Sequence, residues 1–401
     1  MRSKILGLAL LILTSATVAY YPNTKGGTSI FDTRTDTNQG ALTEAIGAPT
    51  VDVVFVLDTT GSMGGLIQAS KDKIWSIATT MASAQPTPRI RIGLVGFRDR
   101  GDLYVTRTVD LSEDLDSVYA SLMDFQAGGG GDTPESVNEA LRAAIYDISW
   151  SQDPQAYKVV FLVGDAPPHM DYQDDVPFPQ TLADAQQAGI VVNTIQCGQM
   201  GITTGPWQRI AQLGNGRFFQ VEQAGSAVAI ATPFDRELAE LSVALDETRL
   251  YYGSDEERAM MRMKVAAADK MHESASVESR ARRAAFNASA AGEANLLGTK
   301  ELVDDVSSGR VDLDAIDTEA LPPSLQPMAP EERKELIADS ARKREELQRQ
   351  IRELSQERDA YVAENLHEAG GGKDSLDRQI YETVKEQAEA FGLTYAEGPK
   401  H

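Results

Sequence analysis

The chain has 401 residues, 42% of them hydrophobic, and a formal net charge of −22 at pH 7. This length and composition are typical of a globular protein with more than one domain and exclude a fibrous or wholly disordered chain. With 60 Asp and Glu against 38 Lys and Arg, the surface is unsuited to nucleic acid, which proteins hold through basic contacts to phosphate. We therefore expect no nucleic-acid partner.

The first residues have the order of a secretory signal. Arg2 and Lys4 precede an apolar run at residues 5–13, and small residues follow as far as Ala19. The run is shorter than the roughly 20 residues that span a bilayer, and a core-forming first strand is the alternative. The pattern predicts a signal peptide at residues 1–19 that is cleaved after Ala19. The mature chain would then be secreted or periplasmic and have no membrane span.

The middle of the chain alternates between strand and helix patterns. Residues 20–48 are polar and predict a linker or an edge segment, whereas from residue 50 to 250 apolar runs alternate with helical segments. This alternation predicts an α/β domain with a doubly wound, mostly parallel, Rossmann-like sheet. The principal predicted strands are at residues 51–57, 89–97, 158–163, 189–196 and 217–221.

The last third of the chain is predicted to be helical, over residues 255–401. A long helix is expected at 330–367, where Pro330 suits the first turn, and a final helix at 375–391. Apolar residues of the long helix recur at four- and three-residue spacings over about two heptads. This favours a helical hairpin packed on itself or on the first domain. A coiled coil that mediates self-association is the alternative.

Polar and acidic residues follow the predicted strands where a ligand crevice is expected. Asp58-Thr59-Thr60-Gly61-Ser62 comes directly after strand 51–57, and Asp165 comes just after strand 158–163. A further acidic loop, residues 132–135, follows four glycines. Because the carboxyl ends of parallel strands share one edge of the sheet, these loops should bring Asp58, Glu135 and Asp165 together.

Three carboxylates so close together would repel one another without a cation. With a cation, the loops offer carboxylate and hydroxyl oxygens but neither sulfur nor imidazole. Such hard ligands select Mg²⁺, Mn²⁺ or Ca²⁺ over zinc or copper. The sequence therefore predicts a divalent-cation site, with Mg²⁺ or Mn²⁺ as the expected metal.

Asp58-x-Thr60-x-Ser62, the glycine-rich second loop and Asp165 resemble the metal-ion-dependent adhesion site of von Willebrand factor type A domains. The resemblance covers about half of the chain. It implies that Thr60 and Ser62 bind the metal directly, while Asp58 and Asp165 act mostly through water. The partner would be a protein whose acidic group completes the coordination.

The second loop is similar to that of integrin β subunits, where an Asp-x-Pro-Glu sequence contributes its Glu, here Glu135. Other members of the family supply a Thr, so Thr133 is the alternative ligand. The same resemblance implies a second site for Ca²⁺ formed by Asp99, Asp132, Glu135 and the Pro134 carbonyl, although Gly130 stands where the family has an Asn. Alternatively, Asp99 pairs with Arg98 or Arg100.

Sequence motifs for enzymes are missing. The chain has neither a Gly-Lys-Ser/Thr phosphate loop nor a Gly-x-Ser-x-Gly nucleophile elbow, so no catalytic residue is predicted. The leading hypothesis is an exported adhesion-like protein that binds a protein ligand through a metal. The alternatives are an envelope scaffold with a structural metal site and, less favoured, a hydrolase.

Overall fold

The computed structural model describes residues 48–131, 133–223, 230–368 and 376–395. The predicted signal peptide, nearly all of the polar segment before residue 48 and the candidate ligand Asp132 lie outside these ranges. Within them, no helix is both long and apolar enough to cross a membrane.

The centre of the molecule is a six-stranded sheet in the order β3-β2-β1-β4-β5-β6. Every neighbouring pair is parallel except β2 and β3, which are antiparallel. The predicted doubly wound, mostly parallel α/β fold is thus confirmed. The strands are β1 Thr50–Asp58, β2 Arg89–Phe97, β3 Thr106–Ser112, β4 Tyr157–Gly164, β5 Ile190–Cys197 and β6 Asn215–Val221.

Helices cover both faces of this sheet, because the central strands are apolar on both sides. In β1, Val53 and Phe55 pack in one core cluster with α1 and α2, whereas Val54 and Val56 pack in a second cluster with α3, α4 and α5. The helices of this part are α1 Gly64–Ala82, α2 Leu115–Met123, α3 Val137–Tyr146, α4 Phe178–Gln187, α5 Gly201–Leu213 and α6 Asp235–Asp246.

Strand β3 was absent from the sequence prediction. Its side chains are all at least partly exposed, and Arg107 and Asp110 interrupt any apolar run. Such a strand lies at the sheet edge, held by its antiparallel pairing with β2. Its position matters because the loop that joins it to β2, residues 98–105, lies beside the candidate site.

The C-terminal helices pack against the sheet domain through buried ion pairs. Arg283 of α8 contacts Asp116 of α2 at 2.5 Å and Asp246 of α6 at 2.9 Å. On the long helix α11, Arg344 contacts Glu301 at 2.8 Å. These helices are α7 Asp255–Ser274, α8 Val277–Asn287, α9 Glu293–Leu297, α10 Leu302–Ser307, α11 Pro330–Glu368 and α12 Leu376–Ala388.

The last helix, α12, packs against the same face of the sheet as α1. Ile380 and Val384 belong to the core cluster that contains α1. Gln387 accepts a hydrogen bond from the Tyr157 hydroxyl at 2.8 Å and donates one to Asn193 Oδ1 at 2.9 Å. The helical region therefore supplies part of the core of the domain that carries the candidate site.

Candidate metal centre

The first loop of the site begins where β1 ends. Asp58 is buried, and its Oδ1 accepts hydrogen bonds from the Thr60 backbone N–H at 2.8 Å and from the Thr60 hydroxyl at 2.6 Å. The Ser62 hydroxyl lies 3.4 Å from that of Thr60. Because a hydroxyl keeps its acceptor lone pairs when it donates, both hydroxyls remain suitable metal ligands.

The other carboxylate oxygen of Asp58 carries the strongest indication of a ligand. Asp58 Oδ2 is buried and has no hydrogen-bond partner. Burial raises the pKa of Asp58 to about 7, and the nearby charge of Asp165 adds to the rise, although hydrogen bonds from Thr60 and from the Asp165 backbone oppose it. A buried carboxylate oxygen that lacks a donor is costly, so a cation at Oδ2 would remove an unfavourable feature of the fold.

The glycine-rich second loop lies against the first. Gly128 N donates to Thr59 O at 3.1 Å, and Gly61 N donates to Gly129 O at 3.2 Å. Gly130 has a φ of +72°. A side chain there would come within 3.1 Å of the Thr60 side chain and 3.4 Å of Glu135 Oε1. Both the backbone conformation and the close approach require glycine.

The third loop closes the site. At Gly164 an added Cβ would lie 2.8 Å from Asp58 Cβ, which places Asp58 directly beside the end of β4. Glu135 N donates to Pro167 O, and His169 N donates to Glu135 O, both at 3.0 Å. The second and third loops are therefore joined by backbone hydrogen bonds, and the three loops converge as the strand order predicts.

The converging loops form a cleft lined by Thr60, Ser62, Thr133, Glu135 and Asp165. Both candidates for the second-loop ligand lie in it, Glu135 almost fully buried and Thr133 exposed. Across the described residues, no group of three or more His, Cys, Asp and Glu side chains is arranged to hold a metal. A cation in this cleft would therefore need the hydroxyl oxygens as well as carboxylates, and the residues present fit that requirement.

The family model of the von Willebrand factor A domain matches residues 52–230, the segment that contains all three loops and the sheet. Residues 52–230 form a von Willebrand factor A (VWA) domain. Mouse von Willebrand factor A domain-containing protein 7 is 39% identical over 97 residues, which are 24% of this chain and 10% of the mouse protein. The chain spans about a tenth of the length of the curated relatives it matches.

Two solved structures are similar to part of the chain. One is the VWA domain of SpRpn10, at 12% identity and a TM-score of 0.34, over 45% of this chain and 91% of that chain. The other is proximal thread matrix protein 1 from the mussel byssus with a zinc-occupied MIDAS motif, at 16% identity and a TM-score of 0.34, over 43% and 42% of the two chains.

Gln223 is a residue of the VWA site that sequence reasoning missed. It follows β6, and its Nε2 donates to Asp165 Oδ2 at 2.7 Å and approaches Ser62 O at 3.4 Å. It thus connects the third loop to the first. A glutamine at the end of a strand carries no sequence signal. Its role follows only from the strand order β4-β5-β6, which brings the end of β6 close to Asp165.

Asp99, which was predicted to belong to a second, Ca²⁺-type site, accepts hydrogen bonds from two hydroxyl groups, and Asp132 lies outside the described residues. Asp99 Oδ1 accepts a hydrogen bond from the Ser136 hydroxyl at 2.7 Å, and Asp99 Oδ2 accepts one from the Tyr172 hydroxyl at 2.9 Å. Pro134 follows Thr133 through a cis peptide bond. Asp99 is therefore held by hydroxyls, and the second site stays a prediction. Of the two arginines that are the alternative partners of Asp99, Arg98 donates to Gln126 O at 2.7 Å and Arg100 contacts Asp174 and Asp175.

Proposed function

We propose that the VWA domain binds Mg²⁺ or Mn²⁺ through Asp58, Thr60, Ser62, Asp165 and a second-loop residue, Glu135 rather than Thr133. The observation that carries this proposal is the buried, unpartnered Oδ2 of Asp58 beside a cleft lined by the hydroxyls of Thr60 and Ser62. Glu135 is preferred because it is the buried carboxylate of the two candidates, and a carboxylate offsets the charge of a divalent cation.

We further propose that the site engages an acidic side chain of a protein partner. A bound cation would supply an open coordination position for such a carboxylate. The chain itself supplies the shape of the site, because the Thr60 hydrogen bonds orient Asp58 and the Gln223 amide orients Asp165. The cleft is open at the sheet edge, where a partner can reach it. Binding, and not catalysis, is the proposed activity, so a panel of phosphatase and esterase substrates should show no turnover.

The test is capture of partners by the immobilised full chain in Mg²⁺, followed by elution with EDTA. Wild type should retain a defined protein that EDTA releases, and Ser62→Ala should retain much less of it. Ser70→Ala is a matched control, since Ser70 lies on α1 outside the cleft. Retention that is unaffected by EDTA, or equal for both variants, would contradict the proposed mechanism.

An envelope scaffold with a structural metal site is the second candidate. It is supported by the ion pairs of Arg283 and Arg344, which join the C-terminal helices to one another and to the sheet domain in a continuous packed unit. A scaffold would retain its partners in EDTA, and Ser62→Ala would retain them as well as wild type does. Self-association through these helices belongs to the same proposal, and sedimentation of the full chain tests it.

Export through the predicted signal peptide is proposed on the sequence pattern alone. If it is correct, the mature protein recovered from the periplasm or the culture medium begins at Tyr20. N-terminal sequencing of that protein tests the proposal, and an unprocessed Met1 in the cytoplasmic fraction would contradict it.

A further inference from the structure

Large apolar side chains are exposed on loops at the same sheet edge as the metal cleft. Leu103 is 86% exposed, Ile202 65%, Met170 56% and Met200 40%. We call these four residues the apolar rim. They belong to the loops after β2, β4 and β5 and to the first turn of α5, so separate parts of the chain place them at one end of the sheet.

Two members of the rim are tied to the third loop of the cleft. Met200 lines the cleft together with Ser62 and Asp165. Ile202 lies two residues further on, next to Thr203, whose hydroxyl donates to Asp165 O at 2.8 Å. The start of α5 is thus fixed to the backbone of a proposed metal ligand, and its apolar side chains lie beside the site.

The other two members are tied to the second loop. Gly130 N donates to the carboxylate of Asp102 at 3.0 Å, which holds Leu103 next to the glycine-rich loop. Met170 follows His169, whose N–H donates to Glu135 O. Every rim residue is therefore connected by a short, hydrogen-bonded path to a loop that lines the cleft.

From this placement we infer that the apolar rim is a docking surface for a protein segment that presents one carboxylate flanked by large apolar side chains. The inference rests on the proposed function and adds the chemistry of the partner. Covering the rim would remove apolar area from water, which is the main source of affinity at protein interfaces. Methionine suits this role because its flexible thioether adapts to different side chains.

The charge of the chain favours a protein over a lipid surface. The net charge of −22 disfavours approach to anionic lipid. A carboxylate on a protein segment can instead meet the cation while its neighbours meet the rim.

The test uses a displayed library of random ten-residue peptides with a fixed central Asp, selected on the immobilised full chain in Mg²⁺ and eluted with EDTA. Leu, Ile, Phe or Met should be enriched next to the Asp. The double variant Leu103→Ser/Ile202→Ser should bind the selected peptides roughly tenfold or more weakly while its affinity for Mg²⁺ is unchanged. Met260→Ser/Met263→Ser is the matched control, because both residues are exposed on α7.

Four results would overturn the inference, and they are distinguishable. The rim is not the docking surface if wild type binds Mg²⁺ but the selected peptides have no apolar residues next to the Asp. The same holds if the Leu103→Ser/Ile202→Ser variant binds the selected peptides as tightly as wild type does. Wild type and the control variant could instead bind neutral phosphatidylcholine vesicles in the presence of EDTA. If the rim variant alone loses this binding, the rim is a lipid-binding surface. If wild type does not bind Mg²⁺ in calorimetry, the proposed function itself fails, and the inference fails with it.

Discussion

Gln223 and Asp165 are joined by a hydrogen bond of 2.7 Å between the amide nitrogen and carboxylate Oδ2, although 58 residues separate them in the chain. The amide fixes the orientation of a carboxylate that we propose to be a metal ligand. It reaches Asp165 from the far side of β5, the strand that lies between β4 and β6. Residues that orient ligands in this way tune metal affinity without touching the metal.

Replacing Gln223 by Ala should therefore weaken Mg²⁺ binding by roughly 10- to 100-fold, the usual cost of losing such an orienting residue. Isothermal titration measures the change. Gln220→Ala is the matched control, because the Gln220 amide donates to Gly198 O at 2.7 Å and not to Asp165. Equal affinities for the two variants would show that Gln223 does not position the site.

Replacing Gly164 by Ala should damage both stability and metal binding, because the methyl group would lie 2.8 Å from Asp58 Cβ and 3.2 Å from the Trp207 ring. Overpacking of this kind costs about 1–3 kcal/mol. Gly205→Ala provides the comparison, since Gly205 lies in α5 with no atom within 4 Å of an added Cβ. Urea denaturation should show a lower free energy of unfolding for Gly164→Ala alone, and unchanged stability would refute the close packing.

The loops of the site could be predicted because their signals are local. An apolar run that leads into Asp58-x-Thr60-x-Ser62 marks a strand end within a dozen residues, and Asp165 follows β4 in the same manner. Gln223 could not be predicted, since its role depends on the order of β4, β5 and β6 in the sheet. The choice between Glu135 and Thr133 also stayed open, because their spacing lets both reach the cleft.

The fold could be predicted where burial on both faces produces continuous apolar strands. The edge strand β3 could not be predicted, because its side chains are partly exposed and its sequence therefore has no continuous apolar run. The sequence predicted that the last helix packs within a helical hairpin or on the first domain, but it could not show that α12 packs on the sheet. Its apolar stripe predicts a buried face but does not identify the surface that buries it.

Removing the Arg283 side chain should destabilise the whole chain. The guanidinium is fully buried and lies between Asp116 and Asp246, so Arg283→Ala leaves two carboxylates buried without their main partner. We expect a loss of about 3–5 kcal/mol in the free energy of unfolding. Arg349→Ala, which removes an exposed pair with Glu346 and Glu353, should cost about 1 kcal/mol or less. Similar losses for both variants would argue against a structural role for the buried cluster.

The same cluster predicts a dependence of stability on pH. Burial alone would raise the pKa of Asp246 and Asp116. Arg283 opposes this rise most strongly and, together with His272 and Arg249 at Asp246 and Lys264 at Asp116, holds both pKa values below the usual range. In the unfolded chain these carboxyls take up protons near pH 4, while the folded chain still excludes them. Their contribution to stability is therefore present above about pH 4 and is lost as the pH falls towards their lowered pKa values.

Urea denaturation of wild type and Arg283→Met between pH 6 and pH 3 measures this effect. Stability should fall more steeply with decreasing pH in wild type. In the variant, Arg283 no longer lowers the pKa of the two carboxyls, so acid destabilises the variant less, and the difference between the free energies of unfolding of the two proteins narrows at low pH. A constant difference across this range would rule out the linkage.

Isothermal titration of Mg²⁺ into the full chain, with wild type compared to Asp58→Asn, tests the metal site most directly. The variant keeps the shape of the side chain but removes the charge, and because the Asp58 carboxylate is buried, the metal-free variant should melt no lower than wild type. We predict a saturable heat for one ion in wild type and none in Asp58→Asn. Equal heats from two folded proteins would contradict the assignment of this cleft as a metal centre.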